Sequence, residues 1–328
     1  MLILKEKEIR THFQMSEGIA DVEKAIEYLA QGTLTDTPRT VFSVEEKEAG
    51  FLYMPAYVAP SHFAAVKIIS VFPHRTKEKK SAIQGLTLLS DGETGEHLAL
   101  MDATWLTVMR TGALSGVAAK HLAREDSRTL GVIGCGAQAR GQIEAMLNVR
   151  PIEKLLLFNR RAEKAHQLAS EIEVRHKGRL AIHVVEDPNQ VASHVDILVT
   201  STNSHKPVYD DSYIKPGTHV SAIGSYRPVM QEIDEETLKR SSRIVVDTLE
   251  GVLEEAGDFL IPIKKGSFSR NQIDGELTDI VAGRISGRKT PSEITFFKSV
   301  GFSLLDAVIS YPVWKRAQAA GDGLQIDW

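Results

Sequence analysis

A strand that turns abruptly into a helix through a glycine-rich loop is the feature that most constrains this chain. An apolar run over 130–133 leads into Gly134, Gly136 and Ala139, spaced as Gly-x-Gly-x-x-Ala. Gly134 permits the tight turn, Gly136 leaves no Cβ in the way of a pyrophosphate, and Ala139 allows close packing of helix on strand. Glycine-rich turns also serve packing alone, so the surrounding pattern must decide.

The segments after the loop alternate between strand-like and helix-like patterns. Helices are predicted over 137–147 and 162–174. Short apolar runs predict strands over 129–133, 154–158, 181–185, 197–200, 219–223 and 244–247. Short buried strands separated by helices are typical of a doubly wound parallel sheet, so the class is α/β with a Rossmann-type dinucleotide site.

The N-terminal part has a different pattern, typical of an α+β domain. A helix is predicted over 21–29, strands over 64–71 and 85–89, and a hairpin turn over 91–95. A long apolar helix over 105–122 then leads into the glycine loop.

The domain prediction follows from these two patterns. We expect an α+β domain over 1–120 and a Rossmann domain, inserted into it, over 121–298. A helical segment over 296–309 is expected to return the chain to the first domain, within a C-terminal portion over 299–328.

Composition excludes several classes of partner. The 328 residues carry a formal net charge of -4, which gives no support for a nucleic-acid or membrane surface. A signal peptide, a membrane-spanning apolar run and metal-ligand spacing are all missing from the sequence, so we expect no metal and a cytoplasmic protein. The single cysteine, Cys135, fits a reducing compartment and a packing role inside the loop.

The tip of the second predicted strand indicates which dinucleotide binds. NAD sites place a carboxylate there to bond the ribose, whereas this strand ends in Asn159, Arg160 and Arg161. Asn159 can bond the ribose without repelling a phosphate, and Arg160 and Arg161 can grip that phosphate. The tip favours NADP(H), with NAD(H) as the second choice; the alternative is a solvated, charged helix start.

Several runs resemble one family, the ornithine cyclodeaminase/mu-crystallin family. The matching runs cover almost the whole chain and lie at 109–113, 118–123, 255–258, 275–277, 283–288 and 295–301. The resemblance implies a homodimer whose N-terminal domains bind substrate and pair. It also implies NAD(H) or NADP(H) beside an imino or amino acid, in a group of cyclodeaminases, alanine and opine-type dehydrogenases, cyclic ketimine reductases and crystallins.

Three basic residues match the positions that hold the substrate carboxylate in this family: Arg39, Lys67 and Arg110. Lys67 lies inside an apolar strand, where burial without a partner is costly and lowers the pKa of an amine, which suits proton transfer. We therefore expect Lys67 to be catalytic as well as substrate-binding. The alternatives are a solvent-facing lysine, a polar-loop arginine and a helix-surface ion pair.

Other positions are carried over from the family's ligand contacts. Val300 is expected near the substrate, and Asp306 is interpreted as a structural helix residue. The expected cofactor contacts, some of which could equally be ordinary loop hydroxyls, are Thr111, Gly134, Gly136, Ala137, Gln138, Asn159, Arg160, Thr200, Ser201, Thr202, Ile223, Gly224 and Ser299.

One departure from the family pattern bears on the reaction. Where cyclodeaminases carry an aspartate and a lysine after the fifth strand, this chain has Tyr226 and Met230. Without that carboxylate, we expect no cyclodeaminase activity. The expected function is NADPH-dependent reduction of a cyclic α-imino acid, best Δ1-pyrroline-2-carboxylate to L-proline. The alternatives are an alanine or opine-type dehydrogenase and a non-catalytic, crystallin-like NADPH-binding protein.

Overall fold

A computed structural model describes residues 1–36, 39–72, 74–75 and 83–327. The chain divides into two compact units. Met1–Arg110 and Phe302–Trp328 form the first unit, and Thr111–Gly301 forms the second. The boundary predicted after residue 120 therefore falls inside the second unit, while the boundary predicted after residue 298 falls close to its end.

The first unit contains a mixed β-sheet. Its described strands are β1 (Leu2–Leu4), β2 (Thr35–Asp36), β3 (Thr40–Val44), β4 (Ala49–Val58), β5 (Phe63–Val71), β6 (Ile83–Asp91), β7 (His97–Asp102) and β16 (Leu324–Gln325). They run in the order β16-β1-β7-β6-β5-β4-β2, with β3 also paired to β4. The β1–β7 pair is parallel and the other pairs are antiparallel.

Helices cover one face of this sheet. They are α1 (Glu6–His12), α2 (Met15–Ala30) and α11 (Leu304–Ala320), and α3 (Ala103–Leu122) begins in this unit and ends in the second. Helix α11 packs on β4, β5 and β6 and on α2. Its Tyr311 stacks on Phe63 of β5, with ring centroids 4.3 Å apart. Because side chains alternate along a strand, Phe63, Ala65 and Lys67 share this covered face, and all three are buried.

The second unit is built on a parallel sheet. Its strands are β8 (Thr129–Ile133), β9 (Lys154–Phe158), β10 (Ala181–Val184), β11 (Ile197–Thr200), β12 (His219–Ala222), β13 (Arg243–Val246), β14 (Gly275–Glu276) and β15 (Thr295–Lys298). Its helices are α4 (Ala137–Val149), α5 (Ala162–His176), α6 (Pro188–Ala192), α7 (Glu235–Arg240), α8 (Leu249–Glu255), α9 (Gly257–Lys265) and α10 (Leu277–Val281).

The strand order of this sheet is β10-β9-β8-β11-β12-β15-β13-β14, and its pairs are all parallel. The predicted doubly wound α/β fold, combined with an α+β domain, is confirmed. Strand β8 lies between β9 and β11, so the chain changes direction across the sheet at β8. In such sheets ligands bind beyond the carboxyl ends of the strands at this switch point, which places the glycine loop there.

The helix predicted over 296–309 is wrong in its first part. Residues Thr295–Lys298 form β15, a strand between β12 and β13, and the helix begins only at Leu304. All four residues of β15 are buried. Aromatic and β-branched side chains suit such a strand, and periodicity cannot separate a short buried strand from a buried helix turn.

Within the described residues, no helix has the length and apolar character needed to cross a membrane.

Candidate functional site

The glycine loop after β8 has the geometry of a phosphate-binding turn. Gly134 has a φ of 101°, and a Cβ there would lie 2.6 Å from the Ser201 carbonyl oxygen. A Cβ at Gly136 would meet nothing within 4 Å, so open space lies outside the first turn of α4. A helix N-terminus with this space and unpaired N–H groups fits a pyrophosphate.

The two residues that follow Gly136 also leave groups available to a ligand at the N-terminus of α4. Ala137 is exposed, and Gln138 carries a buried Oε1 that has no hydrogen-bond partner among the described residues. Cys135 lies in the same loop, where burial raises the pKa of its thiol to about 12. A thiol with that pKa is inert at neutral pH, as expected for a packing residue.

Asn159 ties the tip of β9 to the glycine loop. Its Oδ1 accepts a hydrogen bond from the Cys135 backbone N–H (3.1 Å), and its Nδ2 donates to the Arg161 carbonyl (2.9 Å). The amide predicted to contact the ribose therefore already holds two stretches of backbone together. Arg160, the next residue, is exposed.

The residues that follow β11 and β12 lie beside the glycine loop. Ser201 donates its hydroxyl to the Gly134 carbonyl at 2.7 Å. Thr200 is buried, and its Oγ1 has no partner among the described residues. After β12, Ile223 is buried, and a Cβ at Gly224 would lie 2.0 Å from the Thr202 carbonyl oxygen. Only glycine allows these two loops to approach so closely.

A buried carboxylate that sequence reasoning missed clamps these same loops. Glu232 Oε1 accepts from the Thr202 N–H at 2.5 Å, and Oε2 accepts from the N–H groups of Gly224 (2.6 Å) and Ser225 (3.1 Å). Burial raises the pKa of the Glu232 carboxyl, while the charge of Lys298 and the bonds to Thr202 oppose that rise.

Two further charged residues stand behind Glu232. Asp258 Oδ1 accepts from the N–H groups of Glu232 (2.7 Å) and Ile233 (3.1 Å), and Oδ2 accepts from Lys298 Nζ (2.9 Å). All three charged side chains are fully buried. We call Glu232, Asp258 and Lys298 the Glu232 cluster; each of its four carboxylate oxygens accepts at least one hydrogen bond.

The predicted contacts Ser299 and Val300 are held by another buried carboxylate. Asp247 Oδ2 accepts from the Ser299 hydroxyl (2.8 Å) and from the N–H groups of Val300 (2.9 Å) and Gly301 (2.6 Å). The Ser299 hydroxyl therefore fixes the loop after β15.

Thr111, the first residue of the second unit, is buried on α3. Its carbonyl accepts from Gln142 Nε2 at 3.3 Å. One residue on, a Cβ at Gly112 would lie 2.2 Å from the Gly141 carbonyl oxygen, so α3 and α4 are in close backbone contact here.

The first unit gathers the candidate substrate residues around one carboxylate. Asp306, in the first turn of α11, accepts from Lys67 Nζ at 2.5 Å through Oδ2 and from Arg110 Nε at 3.2 Å through Oδ1. Lys67, Arg110 and Asp306, all buried, are called the Lys67 cluster below. The buried position of Lys67 removes the alternative of a solvent-facing lysine.

The Lys67 cluster carries more positive than negative charge. Burial lowers the pKa of Lys67 from 10.5 to about 8; the charge of Asp306 opposes this, and the charges of Arg110 and Arg39 add to it. Arg110 Nη1 is buried with no hydrogen-bond partner among the described residues. A buried donor left unpaired is costly, and an anion would satisfy it.

Arg39 lies directly before β3. Thr40 of that strand pairs with Tyr53, and the next residue of β4, Met54, pairs with Lys67. Arg39 is therefore close enough for its charge to act on the lysine. The polar run over 37–40, which predicts a loop, contains residues 37 and 38 that lie outside the described residues.

A pattern in the sequence could have identified Asp306 as a functional residue, whereas no such pattern exists for Glu232. Asp306 is an acidic residue within the apolar run 304–309, a pattern that indicates a buried carboxylate with a cationic partner. From the sequence alone Asp306 was predicted to have a structural role. Glu232 does not lie within an apolar run. Its partners are backbone N–H groups that come close to it only in the folded chain.

The two residues that depart from the cyclodeaminase pattern lie in the loop after β12. Tyr226 is exposed, with the Arg227 guanidinium 5.5 Å from its ring centre, and Met230 is buried. Neither side chain can replace a carboxylate in water or amine chemistry. Among the described residues, no group of three or more His, Cys, Asp or Glu side chains could hold a metal ion.

Comparison with known proteins gives matches over the whole chain. The model of the ornithine cyclodeaminase/mu-crystallin family matches residues 1–321. A Delta(1)-pyrroline-2-carboxylate reductase of Bacillus cereus is 40% identical over 330 residues, covering 100% of both chains.

Two solved structures are also similar to this chain over its full length. Delta(1)-pyrroline-2-carboxylate reductase of Thermococcus litoralis, in complex with NADH and L-proline, has a TM-score of 0.95 and 39% identity, covering 99% of this chain and 100% of that chain. An archaeal alanine dehydrogenase dimer with bound NAD has a TM-score of 0.92 and 33% identity, covering 100% and 99%.

These matches confirm the predicted nicotinamide cofactor and the predicted enzyme class, an oxidoreductase that acts on C=N bonds. Together with the matching fold and the family model, they show that the chain belongs to the ornithine cyclodeaminase/mu-crystallin family.

Proposed function

We propose that this protein reduces Δ1-pyrroline-2-carboxylate to L-proline with a reduced nicotinamide cofactor. The observation that carries the proposal is the Lys67 cluster, which pairs two buried cations with one carboxylate and leaves Arg110 Nη1 with no hydrogen-bond partner among the described residues. The likeness to Delta(1)-pyrroline-2-carboxylate reductases over the full length supports this choice of substrate.

The cluster binds and orients the substrate carboxylate. Arg110 Nη1 donates to it, and Arg39 and Lys67 supply further positive charge. Charge-assisted bonds to a guanidinium fix both distance and orientation. Orientation matters because hydride transfer requires the two reacting carbons to be nearly in contact.

Lys67 supplies the proton. A reduced nicotinamide, when bound, would supply the hydride to the C=N carbon, and Lys67 would protonate the imine nitrogen to give the amine of L-proline. With a pKa of about 8, Lys67 is protonated at neutral pH yet acidic enough to donate.

The remaining predicted contacts complete the cofactor site. The turn at Gly134 and Gly136 would hold the pyrophosphate at the N-terminus of α4. The loops clamped by Glu232, and the loop fixed by Asp247, form the walls beyond the strand ends.

We further propose that NADP(H) is preferred over NAD(H). The β9 tip carries no carboxylate, and Arg160 is exposed there, able to meet a 2′-phosphate. The solved relatives contain NADH and NAD, so the preference needs its own test. A lower KM for NADPH than for NADH supports it, and the reverse order overturns it.

A homodimer is also part of the proposal. The sheet of the first unit exposes large apolar side chains on its outer strands, with Val41 at 54% and Phe42 at 58% exposure on β3. We propose that a partner subunit covers such exposed apolar side chains. Light scattering should give a dimer mass for the wild type and a monomer for Phe42→Lys; a wild-type monomer contradicts the assignment.

A substrate panel tests the reaction itself. The likeness to an archaeal alanine dehydrogenase makes oxidative deamination of alanine the second candidate. Oxidation of NADH and NADPH is measured with Δ1-pyrroline-2-carboxylate, with pyruvate plus ammonium, and with pyruvate plus amino acids. The proposal expects the highest kcat/KM with the cyclic imine. Turnover with pyruvate plus ammonium alone favours the alanine reaction, and cofactor binding without oxidation in any arm favours a non-catalytic role.

A further inference from the structure

Asp306 lies at the centre of the Lys67 cluster but takes no part in the reaction as proposed. Its side chain is 4% exposed, and each of its carboxylate oxygens accepts a bond from a different cation. The bond to Lys67 joins residues 239 positions apart in the sequence, across α11 and β5. A buried carboxylate placed between two candidate substrate ligands can control both of them.

The charges around Lys67 come from three elements. Asp306 lies on α11, Arg110 on α3, and Arg39 in the segment before β3. Asp306 raises the pKa of Lys67, whereas burial, Arg110 and Arg39 lower it to about 8. Removing the negative charge would leave the ammonium in an apolar site facing two guanidinium groups, so the neutral amine would be favoured at neutral pH.

The second effect of Asp306 concerns geometry. Its Oδ1 holds Arg110 through Nε, one of the two edges of the guanidinium. The terminal Nη1 is buried and has no hydrogen-bond partner in the part of the chain that the structure describes. The bond through Nε fixes the direction in which Arg110 presents Nη1.

We propose that Asp306 is a positioning residue for the imine reduction, holding Lys67 in its protonated form and turning the free donor of Arg110 toward the substrate carboxylate. This inference rests on the function proposed above. It assigns Asp306 no contact with the reacting atoms.

The test is the pH profile of Asp306→Asn, which keeps the shape of the side chain and removes its charge. For the wild type, kcat/KM with Δ1-pyrroline-2-carboxylate should fall above about pH 8. In the variant this falling limb should move down by about one to three pH units. Activity at pH 7.5 should drop at least about threefold, the loss of protonated Lys67 for a shift of one unit, while the Kd for NADPH stays within twofold.

Two further variants separate charge from structure. Asp306→Glu retains the charge and should keep the falling limb within half a unit of the wild type, even if kcat decreases. Asp322→Asn removes an exposed carboxylate of the same unit, which pairs with His12, and should leave the profile unchanged. If the limb stays in place in Asp306→Asn, or moves equally in Asp306→Glu, the proposal is overturned.

A measurement without substrate distinguishes failure of this inference from failure of the proposed function. Lysine labelled with 13C at Cε lets NMR follow the titration of Lys67 in the free protein, with Lys67→Met used to assign the signal. The Lys67 pKa should be lower in Asp306→Asn than in the wild type, whatever substrate the enzyme uses. An equal pKa in the two proteins overturns the inference even if the imine is reduced.

Discussion

The two units each bury a cluster of charged side chains, and the clusters differ in what they leave unsatisfied. In the Glu232 cluster two carboxylates face one lysine, and all four carboxylate oxygens accept hydrogen bonds, most of them from backbone N–H groups. In the Lys67 cluster two cations share one carboxylate, and Arg110 Nη1 has no partner among the described residues.

The difference separates a scaffold from a binding site. A closed network in which every polar atom is paired rigidifies the backbone that it touches, here the loops after β11 and β12. A network with excess charge and an unpaired donor is incomplete until a ligand of opposite charge arrives. The Glu232 cluster is thus suited to support the cofactor loops, and the Lys67 cluster to bind an anionic substrate.

The largest expected effect is the loss of turnover in Lys67→Met. Removing the proton donor should lower kcat by about a thousandfold, the middle of the range for general acid catalysis. Because Lys67 lies in the first unit, NADPH binding, followed by fluorescence titration, should stay within twofold of the wild type. Near-normal kcat would show that Lys67 is not the proton donor.

The second prediction concerns the free energy of unfolding. Lys298→Met leaves two buried carboxylates without their cation and should destabilise the protein by about 3–5 kcal/mol. Lys67→Met removes one of two cations beside Asp306. It should lower the free energy of unfolding by about 1 kcal/mol or less, because Asp306 still forms an ion pair with Arg110. Urea unfolding of both variants measures the contrast. Equal losses would mean that the clusters do not differ in this way.

A third prediction uses the pH dependence of the wild type. The pKa of Lys67 is lowered to about 8, and the protonated form is the donor, so kcat/KM should fall as pH rises through 8. The slope should approach tenfold per pH unit. In Lys298→Met the falling limb should keep its position, because that lysine belongs to the other cluster. A wild-type profile that stays flat from pH 7 to 10 is the contrary result.

The smallest expected effect lies at the β9 tip. Arg160→Ser should raise KM for NADPH about tenfold, the loss of one charge-assisted contact, and leave KM for NADH almost unchanged. Arg179→Ser is the control, because it removes an exposed arginine of the same unit away from the β9 tip. A parallel rise of both KM values in Arg160→Ser would remove the proposed role of Arg160 in cofactor choice.

The sequence predicted elements whose signal is local. The Gly-x-Gly-x-x-Ala spacing located the turn at Gly134, and a continuous apolar run located the strand that carries Lys67. The helix predicted over 296–309 failed because β15 is a short, fully buried run, for which helix and strand patterns coincide.

The parts that could not be predicted depend on contacts distant in sequence. The bond between Lys67 and Asp306 spans 239 positions, and the partners of Glu232 are mainly backbone N–H groups, which any residue type supplies. Asp306 was therefore seen only as a helix residue, and Glu232 was not singled out. Both emerge only when the fold shows which buried polar atoms are paired.

Binding of L-proline and L-prolinamide tests most directly the central claim that the Lys67 cluster receives the substrate carboxylate. Calorimetry is carried out on the wild type and on Arg110→Gln, each saturated with oxidised cofactor. We expect the wild type to bind L-proline at least about tenfold more tightly than the amide, as for a charge-assisted hydrogen bond. We expect Arg110→Gln to lose that preference while its affinity for the amide stays unchanged. An undiminished preference for L-proline in Arg110→Gln would contradict the account.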